Sequence, residues 1–159
     1  MKRSHHMPFG VEPGADGGAR FRLWAPSARR VMLKAHGVND GALQADLNDV
    51  GDGWFELDVT GLHAGARYSY RIDDEIDVPD PASRWNPQGV RGPSSIVDPH
   101  AFAWSDAVWR GRSWNEAVVY EMHIGCFTEY GTFAAAIERL DDLADLGVTA
   151  LELMPLAAL

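Results

Sequence analysis

One cysteine, two lysines and no long apolar run mark this chain by what it lacks. The lone thiol, Cys126, excludes any disulfide within the chain. It follows an apolar stretch, where a free cysteine is commonly a small buried hydrophobe. A catalytic role would require a base beside it, and His123 does not face it on a strand. With lysine confined to Lys2 and Lys34, arginine carries almost all the positive charge, a bias of composition rather than a binding signature. The formal net charge of −9 argues against nucleic acid, whose readers carry a basic patch. No segment approaches the ~20 apolar residues of a membrane span. The N-terminal MKRSHHMPFG is basic but lacks the apolar run of a signal peptide. The expectation is a cytoplasmic protein that engages neither membrane nor nucleic acid.

Metal and phosphate signals are equally thin. His5 and His6 are adjacent at a terminus, which is weak ground for a metal site. The acidic run Asp73, Asp74, Glu75, Ile76, Asp77 lacks the alternating ligands and central glycine of a calcium loop, so a solvated turn is expected. The glycine-rich GADGGA has neither a strand before it nor a helix after it, which removes a phosphate-binding loop. No metal ligand is assigned.

What the chain does have, over its first hundred residues, is the punctuation of a β-sandwich: short runs of β-formers between Gly, Asp, Asn and Pro clusters. ARFRLWA (19–25) alternates, placing Phe21 and Leu23 on one face and Arg20, Arg22 and Trp24 on the other, and Pro26 ends it. RVMLKA (30–35) is the next strand, followed by a tight turn around Asp40 and Gly41. Asp52 and Gly53 turn into WFELDV (54–59), and RYSYRI (67–72) sets Tyr68 and Tyr70 on one face. This predicts five or six strands. From 78 to 99 the run VPDPASRWNPQGVRGPSSIVDP holds too much proline for a regular element and reads as a long, stiff, ordered connector. Residues 100–116, with Phe102, Trp104, Trp109 and Trp114, read as an aromatic linker that packs against both neighbours.

The remainder reads as an apolar strand (VVYEMHIGCFT), an amphipathic helix (TFAAAIERLDDLADLGV) and a second apolar strand (TALELMPLA). Thr132 is the expected N-cap and Gly147 the stop. Phe133, Ala136, Ile137, Leu140, Leu143 and Ala144 form the apolar stripe. Strands apolar on both faces belong inside a larger parallel sheet. A complete eight-fold βα barrel takes about 250 residues, so only its first unit fits before Leu159 and the chain reads as a piece of an enzyme. Orphaned in this way, the unit is expected either to pack on the sandwich through 104–114 or to drive self-association.

The residues with chemical potential are few. On the first barrel strand Val119, Glu121 and His123 share one face, and Glu152 interrupts the second strand similarly. Polar groups in apolar barrel strands point toward the lumen. There, Glu121, His123 and Glu152 are either a buried hydrogen-bonded cluster that fixes register or groups that contact substrate. Trp54, beside the Asp52–Gly53 turn, is either a sugar-stacking ring or an edge-of-core tryptophan.

Three stretches together resemble the maltooligosyltrehalose trehalohydrolase family of the α-amylase superfamily: MPFG with FRLWAP, PDPASRWNPQGVRGPSSIVDP, and VVYEMHIGCFTEYGTFAAAIERLDDLADLGVTALELMPLA. The second is the most specific. The resemblance implies an immunoglobulin-like sandwich over 1–99, similar to starch-binding modules, a linker over 100–116, and the start of a (β/α)8 barrel over 117–159. The implied parent activity is hydrolysis of the α-1,4 bond that joins trehalose to a maltooligosaccharide, with no metal or organic cofactor. Such enzymes use an aspartate nucleophile, a glutamic general acid/base and a second aspartate on later barrel strands, so no catalytic residue carries over. By this reading the chain alone is non-catalytic, and maltooligosyltrehalose or α-glucan is the partner through the parent enzyme. Alternatives are an α-glucan-binding accessory module and a truncated product of another branching or debranching enzyme. Trp85, where similar sequences carry another aromatic, is expected to pack rather than touch sugar.

Overall fold

The computed structural model describes residues 9–14, 17–37, 41–154 and 156. Two compact units divide the chain, Met1–Phe102 and Ala103–Leu159. His5, His6, Asp40 and the middle of GADGGA lie outside the described residues.

In the first unit, period-two alternation sorts side chains between a core and two outer faces. One sheet is antiparallel with spatial order β1 (Gly10–Pro13), β2 (Gly18–Trp24), β6 (Trp54–Thr60), β5 (Asn48–Gly51). The other runs β4 (Ala42–Asp46), β3 (Val31–His36), β7 (Arg67–Ile72), β8 (Ile76–Val78), with the two-residue β9 (Ser94–Ser95) also on β7. Phe21 and Leu23 from β2, Phe55 from β6, Val31 and Leu33 from β3, and Tyr68 and Tyr70 from β7 are buried in one cluster. Phe21 meets Tyr68 edge-on at 5.3 Å, and Tyr68 meets Tyr70 edge-on at 5.9 Å, arrangements that suit the ring quadrupoles. The four strands located by alternation are present, but the described residues of this unit form nine strands rather than five or six. The additional ones are five residues or shorter, and β4, β5 and β8 are largely exposed.

The proline-rich run is tied to this unit by polar groups. Asp80, 3% exposed, accepts the Tyr68 hydroxyl at 2.8 Å and the Ala82 N–H at 2.8 Å. Its own N–H donates to Ser94 Oγ at 3.0 Å. Ile96 is buried, and its backbone pairs with Ala66 and Gly65. The acidic run forms the β7–β8 turn, with Asp73 and Asp74 at φ 50° and 62°. Asp73 accepts the N–H groups of Arg29 and Arg30, and Asp74 pairs with the Arg30 guanidinium.

In the second unit β10 (Val119–His123) pairs in parallel with β11 (Ala150–Met154), and Met122, Ile124 and Ala136 form a small core. The helical region departs from expectation in three ways. The first strand stops at His123, and one helical turn, α1 (Ile124–Phe127), follows it. That turn buries Ile124 and leaves Cys126 exposed, which corrects the buried-thiol reading. The single long helix is two pieces, α2 (Phe133–Ile137) and α3 (Leu140–Asp145), broken at Glu138 and Arg139. Helices in proteins owe their continuity chiefly to a packed face, and Phe133, Ile137 and Leu146 on this one are 54%, 66% and 75% exposed. The ends are as expected. Thr132 caps α2 by accepting the Ala135 N–H, and Gly147 at φ 98° closes α3 with Gly147 and Val148 N–H groups returning to Ala144 and Leu143.

Candidate carbohydrate-contact surface

The outer face of the first sheet is built by register. In the β2–β6 ladder, Trp24 stands opposite Trp54, Arg22 opposite Glu56, and Arg20 opposite Asp58, all pointing away from the core. Trp54 is half-buried, and the Arg22 guanidinium lies over its ring at 4.5 Å from the centroid, a cation–π contact that covers one ring face. Arg22 Nε also lies 2.7 Å from Glu56 Oε1. Trp24 is 58% exposed. Its indole N–H donates to the Asp52 carbonyl at 3.2 Å, and the next residue, Ala25, donates its N–H to the Gly53 carbonyl at 2.8 Å.

The turn that accepts both bonds is specified locally. Asp52 at φ 51° and Gly53 at φ 78° adopt the left-handed conformations that Asp-Gly pairs supply in hairpins. A Cβ on Gly53 would fall 2.7 Å from Pro26 Cα, so glycine lets the turn close on the chain leaving β2. Farther along the same face, Arg20 bonds Glu12 of β1 at 2.6 Å beside a cleft of about 380 Å³ edged by Gly18, Asp58 and Thr60.

A second polar surface lies on the other sheet, where Lys34, His36, Ser69, Asp77 and Arg91 edge a groove of about 280 Å³. Asp77 accepts from Arg71 and Lys34, and those bonds lower its pKa to about 2. Burial raises the pKa of Asp80 although the Ala82 N–H and Tyr68 hydroxyl oppose the rise. Burial followed by the nearby Asp80 charge raises that of Tyr68.

Glu121, His123 and Glu152 are brought to one face of the β10–β11 ladder, with Glu121 directly opposite Glu152. All three are exposed in this structure rather than buried among hydrogen-bond partners. Trp85 is 52% exposed, with the Arg67 guanidinium 5.8 Å from its ring centroid. Trp104, Trp109 and Trp114 are 72%, 70% and 85% exposed. Sequence reasoning singled out Trp54 and passed over Trp24, Arg22 and Glu56. Alternation put Trp24 on the outer face, but only the long-range β2–β6 register shows that it neighbours Trp54.

Residues 8–101 match the carbohydrate-binding module 48 family, the isoamylase N-terminal domain. The malto-oligosyltrehalose trehalohydrolase of Saccharolobus solfataricus is 43% identical over 95% of this chain, and that of Deinococcus radiodurans is 42% identical over 98%. A crystal structure of a candidate alpha amylase from Salmonella typhimurium matches with a TM-score of 0.88 and 45% identity, over 97% of this chain and 26% of that one. The chain spans about a quarter of the length of the curated relatives it matches, 26% in each of the two named here.

Proposed function

We propose, from the premise that this chain belongs to the carbohydrate-binding module 48 family, that it forms the N-terminal part of a glycoside hydrolase acting on maltooligosyltrehalose. The observation that carries this reading is an identity of 42–43% that runs through both units, from the sandwich into the β-α-β unit. The reaction is hydrolysis of the α-1,4 bond adjacent to trehalose, which places the protein in trehalose formation. A cytoplasmic site of action belongs to the same proposal, and it is supported by an N-terminus without the apolar run of a signal peptide.

Glycoside hydrolysis needs two carboxyl groups flanking one bond, about 5–5.5 Å apart for retention or 6.5–9.5 Å for inversion. Glu121 and Glu152 occupy directly opposed positions on neighbouring strands. The resemblance implies an acid/base pair on later barrel strands, and this chain contributes the sandwich, the linker over 100–116 and the opening of the barrel. Glu121, His123 and Glu152 line the lumen of the completed barrel, and Trp54 belongs to the module's sugar-facing surface. Left alone, the exposed ladder, with Val119, Leu151 and Met154 at 47%, 39% and 43% exposure, drives self-association.

A chimera tests this directly, with the corresponding quarter of the Deinococcus radiodurans relative replaced by this chain. The chimera should release trehalose from maltooligosyltrehalose, and the 159-residue chain alone should release none above a buffer control. A folded chimera without that activity, or trehalose release by the chain alone, would overturn the reading.

A further inference from the structure

We propose that the outer face of the β4-β3-β7-β8 sheet carries an oxyanion site, built on Arg67, His36 and Ser95, for a small ligand with a phosphate group. The site goes beyond the enzyme reading above and does not depend on it. Register assembles it. In the β3–β7 ladder Arg67 stands directly opposite His36, and in the β7–β9 ladder it stands directly opposite Ser95. Directly paired residues project from the same face with Cβ atoms about 4.5–5.5 Å apart. Imidazole, guanidinium and hydroxyl therefore form one row across three strands. Their chain neighbours point the other way: Ala35 and Tyr68 belong to the core, and Ser94 Oγ accepts the Asp80 N–H. The row adjoins the groove of about 280 Å³, which His36 edges together with Lys34, Ser69 and Arg91.

The row holds donors that nothing satisfies. Among the described residues Arg67 takes part in no ion pair. Its guanidinium lies instead 5.8 Å from the Trp85 ring centroid. Arg67 Nη1 is sealed from solvent without a hydrogen-bond partner, and so is the hydroxyl of Ser95, a residue 2% exposed. Buried polar groups are ordinarily hydrogen-bonded, and buried charges paired. Here two directly opposed side chains are neither. The carboxylate on the groove does not supply the missing charge, because Asp77 already accepts from Arg71 and Lys34. The charges of Arg67 and Arg91 are left uncompensated.

The ligand that answers such a row is an acceptor with negative charge. A guanidinium fork matches phosphate oxygens in pairs, and the Ser95 hydroxyl and an imidazole N–H add donors on either side of it. A neutral hydroxyl would leave the Arg67 charge unpaired. A carboxylate offers two oxygens in one plane, whereas a phosphate group offers three strong acceptors around one centre. That geometry suits donors arriving from three adjacent strands. Because Nη1 and Ser95 Oγ are sealed, binding requires the guanidinium to move off the Trp85 ring. The Trp85 carbonyl accepts the Ser95 N–H at 2.9 Å, so the indole and that amide both report the movement.

Titration of the ¹⁵N-labelled 159-residue chain with inorganic phosphate, at an ionic strength held constant with chloride, tests the site without any enzyme activity. The Arg67 Nε–H, Ser95 amide and Trp85 indole signals should shift together and saturate, with a Kd of about 1–10 mM. Arg67→Ala should weaken binding about tenfold or more, and Arg67→Lys should recover only part of it, because lysine keeps the charge without the planar fork. Ser95→Ala should weaken binding about threefold while the chain stays folded, since the hydroxyl it removes has no partner to lose. Arg29→Ala, which removes an exposed guanidinium ahead of β3, should leave binding unchanged. If the Arg67 variants fail to fold, the shifts of the parent chain still decide. No shift, shifts that grow without saturating, or shifts largest at Arg29, Arg110 or Arg112 would overturn the site. Acetate at the same ionic strength should bind more weakly than phosphate, and tighter acetate binding would overturn the phosphate assignment in favour of a carboxylate. The chimera assay remains a separate test of the enzyme reading.

Discussion

Replacing Asp80 with alanine should loosen the proline-rich connector from the sandwich, because it removes the acceptor at the centre of a buried polar network. The carboxylate is 3% exposed and accepts two bonds of 2.8 Å, one from the Tyr68 hydroxyl and one from the Ala82 N–H. Tyr68 is itself 2% exposed, so its hydroxyl has no ready route to water once the acceptor is gone. A buried donor left without a partner costs about 1–3 kcal/mol. The Ala82 amide is only partly buried and recovers some of its loss from solvent. Relief from burying a carboxylate offsets another part. With those offsets the expected net is about 1–2 kcal/mol, or roughly 4–16 °C in the melting temperature of a domain this size. Thermal unfolding followed by near-ultraviolet circular dichroism, which reports the tyrosine core, reads it directly. A melt within about 2 °C of the parent, well under the shift expected for 1 kcal/mol, would refute the reasoning.

The same residue makes a prediction about pH whose sign is fixed. Burial raises the pKa of Asp80 in the fold. A group with a raised folded pKa contributes stability that is complete below its unfolded value and is lost as pH rises through the folded one. Asp80→Asn removes that titration while keeping the shape. The margin of the parent over Asp80→Asn should therefore shrink as pH rises from the ordinary carboxylate value, and a margin that widens there would contradict the burial argument.

Gly53→Ala forces a Cβ into the left-handed region and to 2.7 Å from Pro26 Cα, and should destabilise by about 1–3 kcal/mol in denaturant titration. Gly61→Ala, at φ 77° with open space beside it, should lose less, and equal losses would show that the Pro26 contact does not matter. Asp77 titrates near 2 because Arg71 and Lys34 hold its anion, so its stabilisation is present above the ordinary carboxylate value and fades as pH falls through about 2. In acid titrations the margin of the parent over Asp77→Asn should close across that window, and a constant margin would count against the ion pairs. A shortened chain ending at Pro99 should melt cooperatively, since sandwiches near 100 residues fold alone, and a featureless melt would show that the rest of the chain is needed.

Alternation made the centre of the sandwich legible because each central strand has one face in the core. Phe21 with Leu23, and Tyr68 with Tyr70, announce their burial two residues apart, and both pairs are buried. The strands that escaped have no such signature. Asn48–Gly51 is exposed at all four positions and is a strand only because β6 runs beside it. The β-α-β unit was legible at its ends, where Thr132 and Gly147 act through local hydrogen bonds. It was not legible in its middle, where continuity of the helix depends on a face being covered. Cys126 belongs to the same class, since its exposure follows from a strand ending three residues before it.

The contact surface shows where such reading stops. Trp54 could be suspected from its turn, but what its ring can do is decided by Arg22, which arrives from a strand about thirty residues away through the β2–β6 register. Register is set by the whole set of buried pairs, so it is a property of the packed sheets rather than of any window of sequence. The same register that places Arg22 over Trp54 leaves Trp24 open beside it. If β2 slipped by one residue against β6, every side chain of β2 would change face. Phe21 and Leu23 would then enter water, while Arg22 and Trp24 would enter the core. Burial of those two apolar side chains, each worth about 1.5–3 kcal/mol, is therefore what holds the outer ladder of rings and ion pairs in line. The core of this sandwich and its exposed aromatic strip are two consequences of one register.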